Sequence, residues 1–310
     1  FIDGNNYTSH AEKVVVLSEY RSTIIQILGG FAIAATLVFN YRRSAAMEKT
    51  VKISEAGQVT DRFAKAIELL GNDSIESKIG AIYALEKIAK DSYSYHWNIM
   101  EILAAFIRSN SPTEAYRSNG VNYDYFKEAV TSALIVIARR NILLDEKGKK
   151  LDISKVSLSG LKIDKGDFTN LNFSFCDIYQ VSFQSCNFMD MTFRNCDLST
   201  CRFSGSTFKN STFSGVGMRF CRMDKVVYED VSFLDIFIES TIIKQATFIR
   251  PEFVDSTLQL SLNSLKNMKM VSPSIENSYL RGKRISEIGM LMGWDENLID
   301  EENEIEEPPF

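Results

Sequence analysis

The chain has 310 residues, of which 45% are apolar and 24% are charged. This length and composition are those of a folded chain with material for one or more buried cores, and they exclude a disordered protein. The net charge of −5 argues against a general nucleic-acid binder with a basic surface, and the two histidines, His10 and His96, leave little room for histidine chemistry.

A long apolar run near the start predicts a membrane-spanning helix. Residues 22–41 contain no charged side chain and include the segment IIQILGGFAIAATLVF. As a helix, a run of this length spans about 30 Å, the thickness of the hydrocarbon core. Arg42 and Arg43 follow the run, whereas a signal peptide carries its basic residues first, and a core helix would have a polar face. We predict an N-terminal segment over 1–20 and a single transmembrane helix over 21–43.

The basic residues around this run predict its orientation. Arg42, Arg43, Lys49 and Lys52 follow the helix, against fewer basic residues before it, so the bulk of the chain is expected on the cytoplasmic or equivalent side of a membrane. Within the helix, Gly30 and Ala34 have the spacing of small residues that lets two helices approach closely, and they are candidate helix-packing residues. The sequence begins at Phe1 and not at Met, so an upstream segment, even a second membrane helix, stays open.

The middle of the chain, residues 44–142, has helical spacing of its apolar residues and predicts a small α-helical, solenoid-like domain. The sequence Gly71-Asn72-Asp73-Ser74 predicts the end of one helix and the start of the next. A third helix is expected over about 97–109 and a fourth from Tyr123 to Asn141, after a loop. His96 is interpreted as a residue at the edge of the core, and Arg139-Arg140 as either a match to the helix dipole or a contact to anionic lipid.

Every fifth residue from Ile153 to Leu258 is large and apolar, at all 22 positions. Neither a helix, with a period of 3.6 residues, nor a simple strand, with a period of 2, accounts for a period of five. A β-solenoid accounts for it if each five-residue unit makes one side of a coil and its central side chain points inward. Eleven of the 21 phenylalanines occupy these central positions, so we interpret them as core residues.

All five cysteines lie two residues before a central position, where other units carry Ser, Val or Leu. These are Cys176, Cys186, Cys196, Cys201 and Cys221. Metal ligation or a redox pair is the functional alternative, but the strict placement favours small core residues of an intracellular protein.

Segments such as Cys176-Asp177-Ile178, Cys186-Asn187-Phe188 and Cys196-Asp197-Leu198 resemble the units of the pentapeptide-repeat family, A(D/N)LXX. The resemblance covers about 110 residues. It implies a right-handed quadrilateral parallel β-helix over 151–260, with four units in each coil. The expected fold class is therefore α+β and multidomain, with the transmembrane helix and the helical domain preceding the β-helix.

Two departures from the family pattern stand out. Bulky residues such as Val156 and Val226 occupy small positions near the two ends, which predicts a regular core over about 168–215 with looser ends. Apolar residues also occupy outward positions late in the repeats: Leu234, Phe237, Ile242, Ile249 and Val254. Either a C-terminal cap over 261–294 folds back on them, or they form a partner surface.

The last segment, residues 295–310, is an acidic tail that contains eight acidic residues and no basic ones. Without it the rest of the chain is nearly neutral, and we interpret it as a solvated segment.

No catalytic, cofactor-binding or metal-binding constellation is found in the sequence, so we expect a non-enzyme without cofactors. The first hypothesis is a membrane-anchored scaffold that presents the solenoid to protein partners in a membrane-associated complex. The alternative is an oligomerising membrane effector, for instance in bacterial defence, with contacts to membrane lipid and to further copies of itself. Some pentapeptide-repeat proteins mimic DNA and inhibit topoisomerases, but the near-neutral repeats disfavour this third hypothesis, and no nucleic-acid partner is expected.

Overall fold

The computed structural model describes residues 10–114, 122–260, 264, 268–280 and 283–284. The chain divides into two compact units, residues 1–61 and residues 62–310. The acidic tail and most of the predicted C-terminal cap lie outside the described residues. The predicted order of a long N-terminal helix, a helical section and a parallel β-solenoid is confirmed.

The first helix, α1, runs over His10–Leu70. It contains the charge-free run, and it is the one described helix that is long and apolar enough to cross a membrane by length and composition. The helix continues well beyond the predicted end of the membrane segment at residue 43, because the residues that follow have no glycine or proline cluster that would end a helix.

The helical section contains α2 over Ile75–Asp91, α3 over Tyr93–Asn110 and α4 over Lys127–Ala138, which pack against one another. Short 3₁₀ turns lie over Tyr123–Phe126 and Ile142–Leu144. The predicted fourth helix is therefore shorter than expected at both ends, while the third begins earlier. Their apolar faces form one core that includes Ile82, Ile99 and Leu134.

The predicted junction between the first two helices is confirmed by its capping contacts. The Ser74 side chain accepts a hydrogen bond from the Ser77 backbone N–H and caps the start of α2. The Lys78 ammonium is buried and donates to the Leu70 carbonyl at 3.0 Å, where α1 ends. A cation at this end of a helix satisfies a free carbonyl and complements the helix dipole.

The remaining chain forms a parallel β-solenoid with four faces, each built from strands or single bridges of successive coils. The first face contains β1 (Leu151–Asp152), β4 (Leu171–Ser174), β8 (Thr192–Arg194), β11 (Thr212–Ser214), β15 (Ser232–Leu234), β19 (Glu252–Val254) and β22 (Ser274–Glu276). The second face contains β2 (Ser157–Ser159), β5 (Asp177–Tyr179), β9 (Asp197–Ser199), β12 (Gly217–Arg219), β16 (Phe237–Glu239), β20 (Thr257–Gln259), β23 (Tyr279–Leu280) and β24 (Lys283–Arg284).

The other two faces are made by fewer strands. The third face contains β3 (Lys162–Asp164), β6 (Ser182–Gln184), β13 (Arg222–Asp224) and β17 (Ile242–Lys244), with Arg202 bridging β6 and β13. The fourth face contains β7 (Asn187–Met189), β10 (Thr207–Lys209), β14 (Val227–Glu229), β18 (Ala246–Ile249) and β21 (Met268–Val271). The register joins residues 20 apart, as in Phe193 with Phe213.

The central side chains fill the interior and stack from coil to coil. Phe188 lies parallel to Phe168 and Phe208, with ring centroids 5.0 Å and 4.4 Å away, and edge-on to Phe183 at 5.4 Å. Such offset-stacked and edge-to-face pairs add to the stabilisation from burial. The predicted inward position of the phenylalanine ladder is confirmed.

The units up to residue 255 end in residues with a left-handed backbone, which the sequence reading did not anticipate. Asn170, Asp190 and Asn210 are examples, with φ of 58°, 55° and 49°. This conformation costs an ordinary residue roughly 1–2 kcal/mol, and Asn and Asp tolerate it best. The corner backbone N–H groups offset the cost by donating to the next coil, as Asn170 does to Met189 at 2.9 Å.

The parallel ladder continues past residue 260, where the sequence pattern appeared to end. Ala246 pairs with Met268, and Phe253 pairs with Ile275, so the last coil contains 22 residues instead of 20. The two additional residues break the period of five, and this is why the periodicity alone missed the coil. In the segment that was predicted to fold back as a cap, the described strand β24 pairs with β23 in the antiparallel direction.

The first coil keeps its bulky inward residues buried, while on the fourth face it has the Asp167 bridge to Asn187 in place of a strand. Leu151, Val156 and Leu161 are buried at the small inward positions. The central residues beside them include Ile153 and Ile163, which are smaller than the phenylalanines of later coils, so the total side-chain volume is conserved. Near the other end, the bulky Val226, Val231 and Ile236 are likewise buried.

Candidate interaction surfaces

The five late outward apolar residues do not form one surface. Leu234 and Val254 lie on the first face, whereas Phe237, Ile242 and Ile249 lie on the second, third and fourth faces. A partner or cap contacting all five at once would have to surround the solenoid. The coil geometry separates them because each advance of five residues turns the chain onto the next face.

Leu234 and Val254 do stack in register on the first face, as their spacing of 20 predicted. Phe237 lies just across the adjoining corner, on the second face, where it pairs with Gly217. All three side chains are half-buried. Leu234 and Val254, called the Leu234 patch below, are the two of these residues that the fold places in register on one face.

The candidate helix-packing residues Gly30 and Ala34 are exposed on α1. A Cβ atom added at Gly30 would meet no heavy atom within 4 Å. The two residues are one helical turn apart on the same side of the helix, which is the placement that close helix packing requires.

A buried polar cluster lies where the helical section meets the first coil. The Arg140 guanidinium donates to both carboxylate oxygens of Asp145. Nη2 lies 2.8 Å and Nε lies 3.0 Å from Oδ2, and Nε also donates to Oδ1. His96 Nε2 lies 3.1 Å from Asp145 Oδ1, and all three side chains are at least 95% buried. Burial raises the pKa of the Asp145 carboxyl, but the hydrogen bonds from His96 and Arg140 outweigh this and lower it below its ordinary value.

The cluster joins two parts of the fold. Arg140 Nη1 donates to the Ile137 carbonyl of α4, and Nη2 donates to the Thr169 carbonyl at the first corner of the fourth face. A backbone hydrogen bond joins the same two parts: the Asp167 N–H donates to the Ala138 carbonyl at 2.6 Å. His96 is therefore a buried structural residue, as expected.

The alternative that Arg139-Arg140 contacts anionic lipid is wrong for Arg140, because its side chain is fully buried against Asp145. Arg139 pairs with Glu86 on the bundle. Sequence reasoning missed Asp145 because it follows the last helix and has no motif spacing to its partners.

The cysteines are buried at the small inward positions and are free thiols. Burial raises the pKa of Cys186 to about 11 and raises that of Cys176 further. Their thiol groups donate to backbone carbonyls of the preceding coil, as Cys176 does to Ile153 at 3.2 Å. The structural interpretation of the cysteines is supported by this geometry.

The solenoid interior leaves little free space. A void of about 10 Å³ lies among apolar side chains such as Met218 and Met268. A groove of about 470 Å³ follows α3 and β1, with Asn98, Glu101 and Arg108 on its wall. In the described part of the chain, no three His, Cys, Asp or Glu side chains are grouped so as to hold a metal ion.

The outward charges are unequally divided among the four faces. The total numbers of acidic and basic residues in the repeats do not show this division. Of the eleven basic residues between 151 and 260, six lie on the third face together with two of the thirteen acidic residues. Sorting the charges by a period of 20 residues would have revealed this from the sequence.

Comparison with known proteins agrees with this geometry. The family described as pentapeptide repeats matches residues 192–227 with eight copies. The chain contains pentapeptide repeats. No curated protein matches this pentapeptide-repeat chain.

Solved structures with similar repeats share little sequence with this pentapeptide-repeat protein. QnrB1, a plasmid-mediated fluoroquinolone resistance protein, has 11% identity and a TM-score of 0.28 over 48% of this chain and 92% of its own. HetL, involved in heterocyst differentiation regulation in the cyanobacterium Nostoc, has 12% identity and a TM-score of 0.24 over 42% of this chain and 65% of its own. Rfr23 from the cyanobacterium Cyanothece has 12% identity and a TM-score of 0.18, over 43% and 86%. None of the three supports a conclusion about what this protein binds.

Proposed function

We propose that the protein is a non-catalytic, membrane-anchored scaffold that presents its pentapeptide-repeat solenoid to protein partners. The observation that carries the proposal is the exposure of the apolar run in α1. Its nine large apolar side chains, from Ile24 to Phe39, are 54–72% exposed, and none of the most apolar stretch is buried inside the chain. Exposing such a side chain to water costs about 1.5–3 kcal/mol relative to burying it.

A lipid bilayer removes that cost. A core helix would be buried by its own chain, and the apolar run of α1 is not. The basic residues Arg42 and Arg43 after the run support an anchor whose following residues are cytoplasmic. The bilayer is therefore the environment that accounts for both the composition and the exposure of this helix.

The solenoid supports a role in binding rather than in catalysis. Its interior is filled by stacked side chains, and its polar outward positions form flat faces. The Leu234 patch is a candidate contact surface for a protein partner, because half-buried apolar residues stacked across two coils provide a continuous surface.

The anchor is tested by alkaline carbonate extraction of membranes that contain the full chain. Replacing Ile27 and Phe31 with Lys places two charges within the apolar run, each costing about 2.5–3.5 kcal/mol at a bilayer centre. We expect this variant to move to the soluble fraction. The matched control Val51→Lys lies on the same helix outside the run and should stay with the membrane. Extraction of the unchanged chain by carbonate would contradict the anchor.

The scaffold is tested by crosslinking in membranes followed by purification in mild detergent. We expect specific proteins to be recovered with the chain, and Leu234→Glu combined with Val254→Glu to reduce their recovery. Ser174→Glu lies on the first face, in an earlier coil, and serves as the control. An isolated monomer with no crosslinked protein would contradict the scaffold.

The alternative function is an oligomerising membrane effector, and the exposed Gly30 and Ala34 are the observation in its favour. In this case Gly30→Leu and Ala34→Leu should abolish leakage of dye from vesicles that contain the protein. Leakage that is unchanged by both substitutions would remove the effector alternative.

A further inference from the structure

The third face of the solenoid is basic, while the other faces are acidic. Its six basic residues are Lys162, Lys165, Arg202, Arg222, Lys225 and Lys244, and its two acidic residues are Asp164 and Asp224. The other three faces share five basic and eleven acidic residues over the same coils. A chain with a net charge of −5 therefore has one face with a local excess of four positive charges.

These positive charges are accessible and only partly compensated. All six basic residues are exposed. Lys162 lies 3.6 Å from Asp164, and Arg222 lies 2.5 Å from Asp224. Among the residues that the structure describes, the other four make no ion pair.

The arrangement does not serve the stability of the solenoid. Arg202 and Arg222 occupy directly paired positions in adjacent coils. Neighbouring strands are about 4.8 Å apart, and like charges opposite one another in a sheet are destabilising. A binding role for the third face accounts for charges that folding alone would disfavour.

Two exposed apolar residues accompany the basic ones. Ile242 is paired with Arg222 on the third face and is 48% exposed. Phe220 lies at the corner between the second and third faces and is 62% exposed. Its φ of 53° is in the left-handed region, where a bulky residue is strained and Asn or Gly would fit better.

We propose that the third face docks on the surface of an anionic lipid bilayer. Each Lys or Arg near such a surface contributes about 1 kcal/mol of attraction, and exposed Phe and Ile side chains insert into the boundary of the headgroups. The five coils give a flat face about 19 Å long, from four spacings of about 4.8 Å. The apolar pair favours lipid over a purely ionic ligand.

The inference extends the proposed membrane anchoring, because a tether to the bilayer raises the effective concentration of the face near lipid. Only this gain in effective concentration rests on the proposed function. Charge complementarity and the exposed apolar pair are properties of the solenoid itself.

The test places a fluorescent label on the face in the full chain. Because the native cysteines are buried, Ser204→Cys on the third face and Ser214→Cys on the first face can each be labelled singly. The labelled proteins are reconstituted in vesicles of phosphatidylcholine with or without phosphatidylserine, together with a lipid that carries a quencher. We expect quenching of the label at residue 204, and not at residue 214, in the vesicles that contain phosphatidylserine.

Charge variants then test the cause. Arg202→Glu with Lys225→Glu should reduce quenching at residue 204 to the level at residue 214, as should about 0.5 M salt, where the Debye length is about 4 Å. Phe220→Asn should weaken the quenching while keeping the face charge. Arg194→Glu reverses one charge on the first face and should have no effect.

The outcomes separate this inference from the anchor. Equal quenching of both labels, in a chain that resists carbonate extraction, overturns the docking and leaves the anchor. Quenching at residue 204 in a chain that carbonate extracts overturns the anchor and leaves the docking. A signal at residue 204 that needs duplex DNA, or the acidic residues 295–307, instead of anionic lipid would assign the face to a different ligand and overturn the proposal.

Discussion

Arg140 and Asp145 form a buried, bidentate ion pair between the end of α4 and the start of the solenoid. The pair is completed by His96 and by backbone carbonyls from both sides of the junction. Because every polar group of the cluster has a partner, the helical section is held to the first coil, and it covers that end of the solenoid. An open end of a β-solenoid would otherwise expose unpaired strand edges.

Removing the arginine should therefore damage the fold strongly. Arg140→Met leaves the Asp145 charge buried without its main partner, and we expect a loss of about 3–5 kcal/mol in the free energy of unfolding. The measurement is the urea midpoint of the detergent-solubilised chain. Lys87→Met removes an exposed pair with Asp91 and should cost less than about 1 kcal/mol. The double variant Arg140→Met with Asp145→Leu should recover much of the loss, and a failure to recover any of it would contradict the ion-pair explanation.

The same cluster predicts a loss of stability in acid. The pKa of Asp145 is lowered by folding, so its stabilising contribution is complete above the unfolded value of about 3.9 and is lost as the pH falls through the lower folded value. We expect the difference in unfolding free energy between the native chain and Asp145→Asn to narrow as the pH falls below about 4. Urea midpoints between neutral and acidic pH measure it. A difference that stays constant over this range would mean that the carboxylate charge is not the stabilising feature.

The phenylalanine ladder predicts a large cost for a cavity in its centre. Phe188 is fully buried between the parallel rings of Phe168 and Phe208. Phe188→Ala should lower the unfolding free energy by about 3–5 kcal/mol, whereas Phe188→Leu keeps most of the volume and should cost less than about 1.5 kcal/mol. Thermal denaturation of the two variants distinguishes them. Similar midpoints for Ala and Leu would show that the interior repacks freely.

Replacing Phe220, which lies at a corner of the solenoid, should stabilise the fold instead of destabilising it. Phe220 is 62% exposed and has a left-handed backbone, so Phe220→Asn relieves strain while removing only a minor share of buried ring area. We expect a gain in unfolding free energy of about 0.5–1 kcal/mol. Asn195→Phe, at another left-handed corner, is the matched reverse substitution and should destabilise by a similar amount. Destabilisation by Phe220→Asn would show that this ring packs on the solenoid.

The cysteines should be unreactive in the folded protein. All five thiols are buried and therefore shielded from a reagent in solution, and burial raises the pKa of Cys186 to about 11, so little of its thiolate is present at neutral pH. We expect Ellman's reagent to label none of the five in the native chain and all of them after unfolding. Rapid labelling of any native cysteine would favour the redox interpretation over the structural one.

The repeat could be predicted because an inward position tolerates few residue types. Phe168, Phe188 and Phe208 must all be large and apolar to fill the same column, and this demand recurs every five residues. The long apolar helix could be predicted for a similar reason, since a run without charge is visible in any window. The corners could not, because residues as different as Lys225, Thr200 and Phe220 adopt the same left-handed φ. Their backbone is held by hydrogen bonds between coils and not by local preference.

The sequence by itself determined the period of five, the inward ladder with its small cysteine positions, and the order of helix, helical section and solenoid. The tertiary structure established that four units make each coil, and with it which outward residues share a face. It separated Leu234 from Ile242, gathered Arg202 with Lys225, and added a coil of 22 residues after the period ends. It also paired Arg140 with Asp145. The physical reason is that inward positions are restricted by packing at every repeat, whereas outward charges and buried polar pairs depend on contacts between residues distant in sequence.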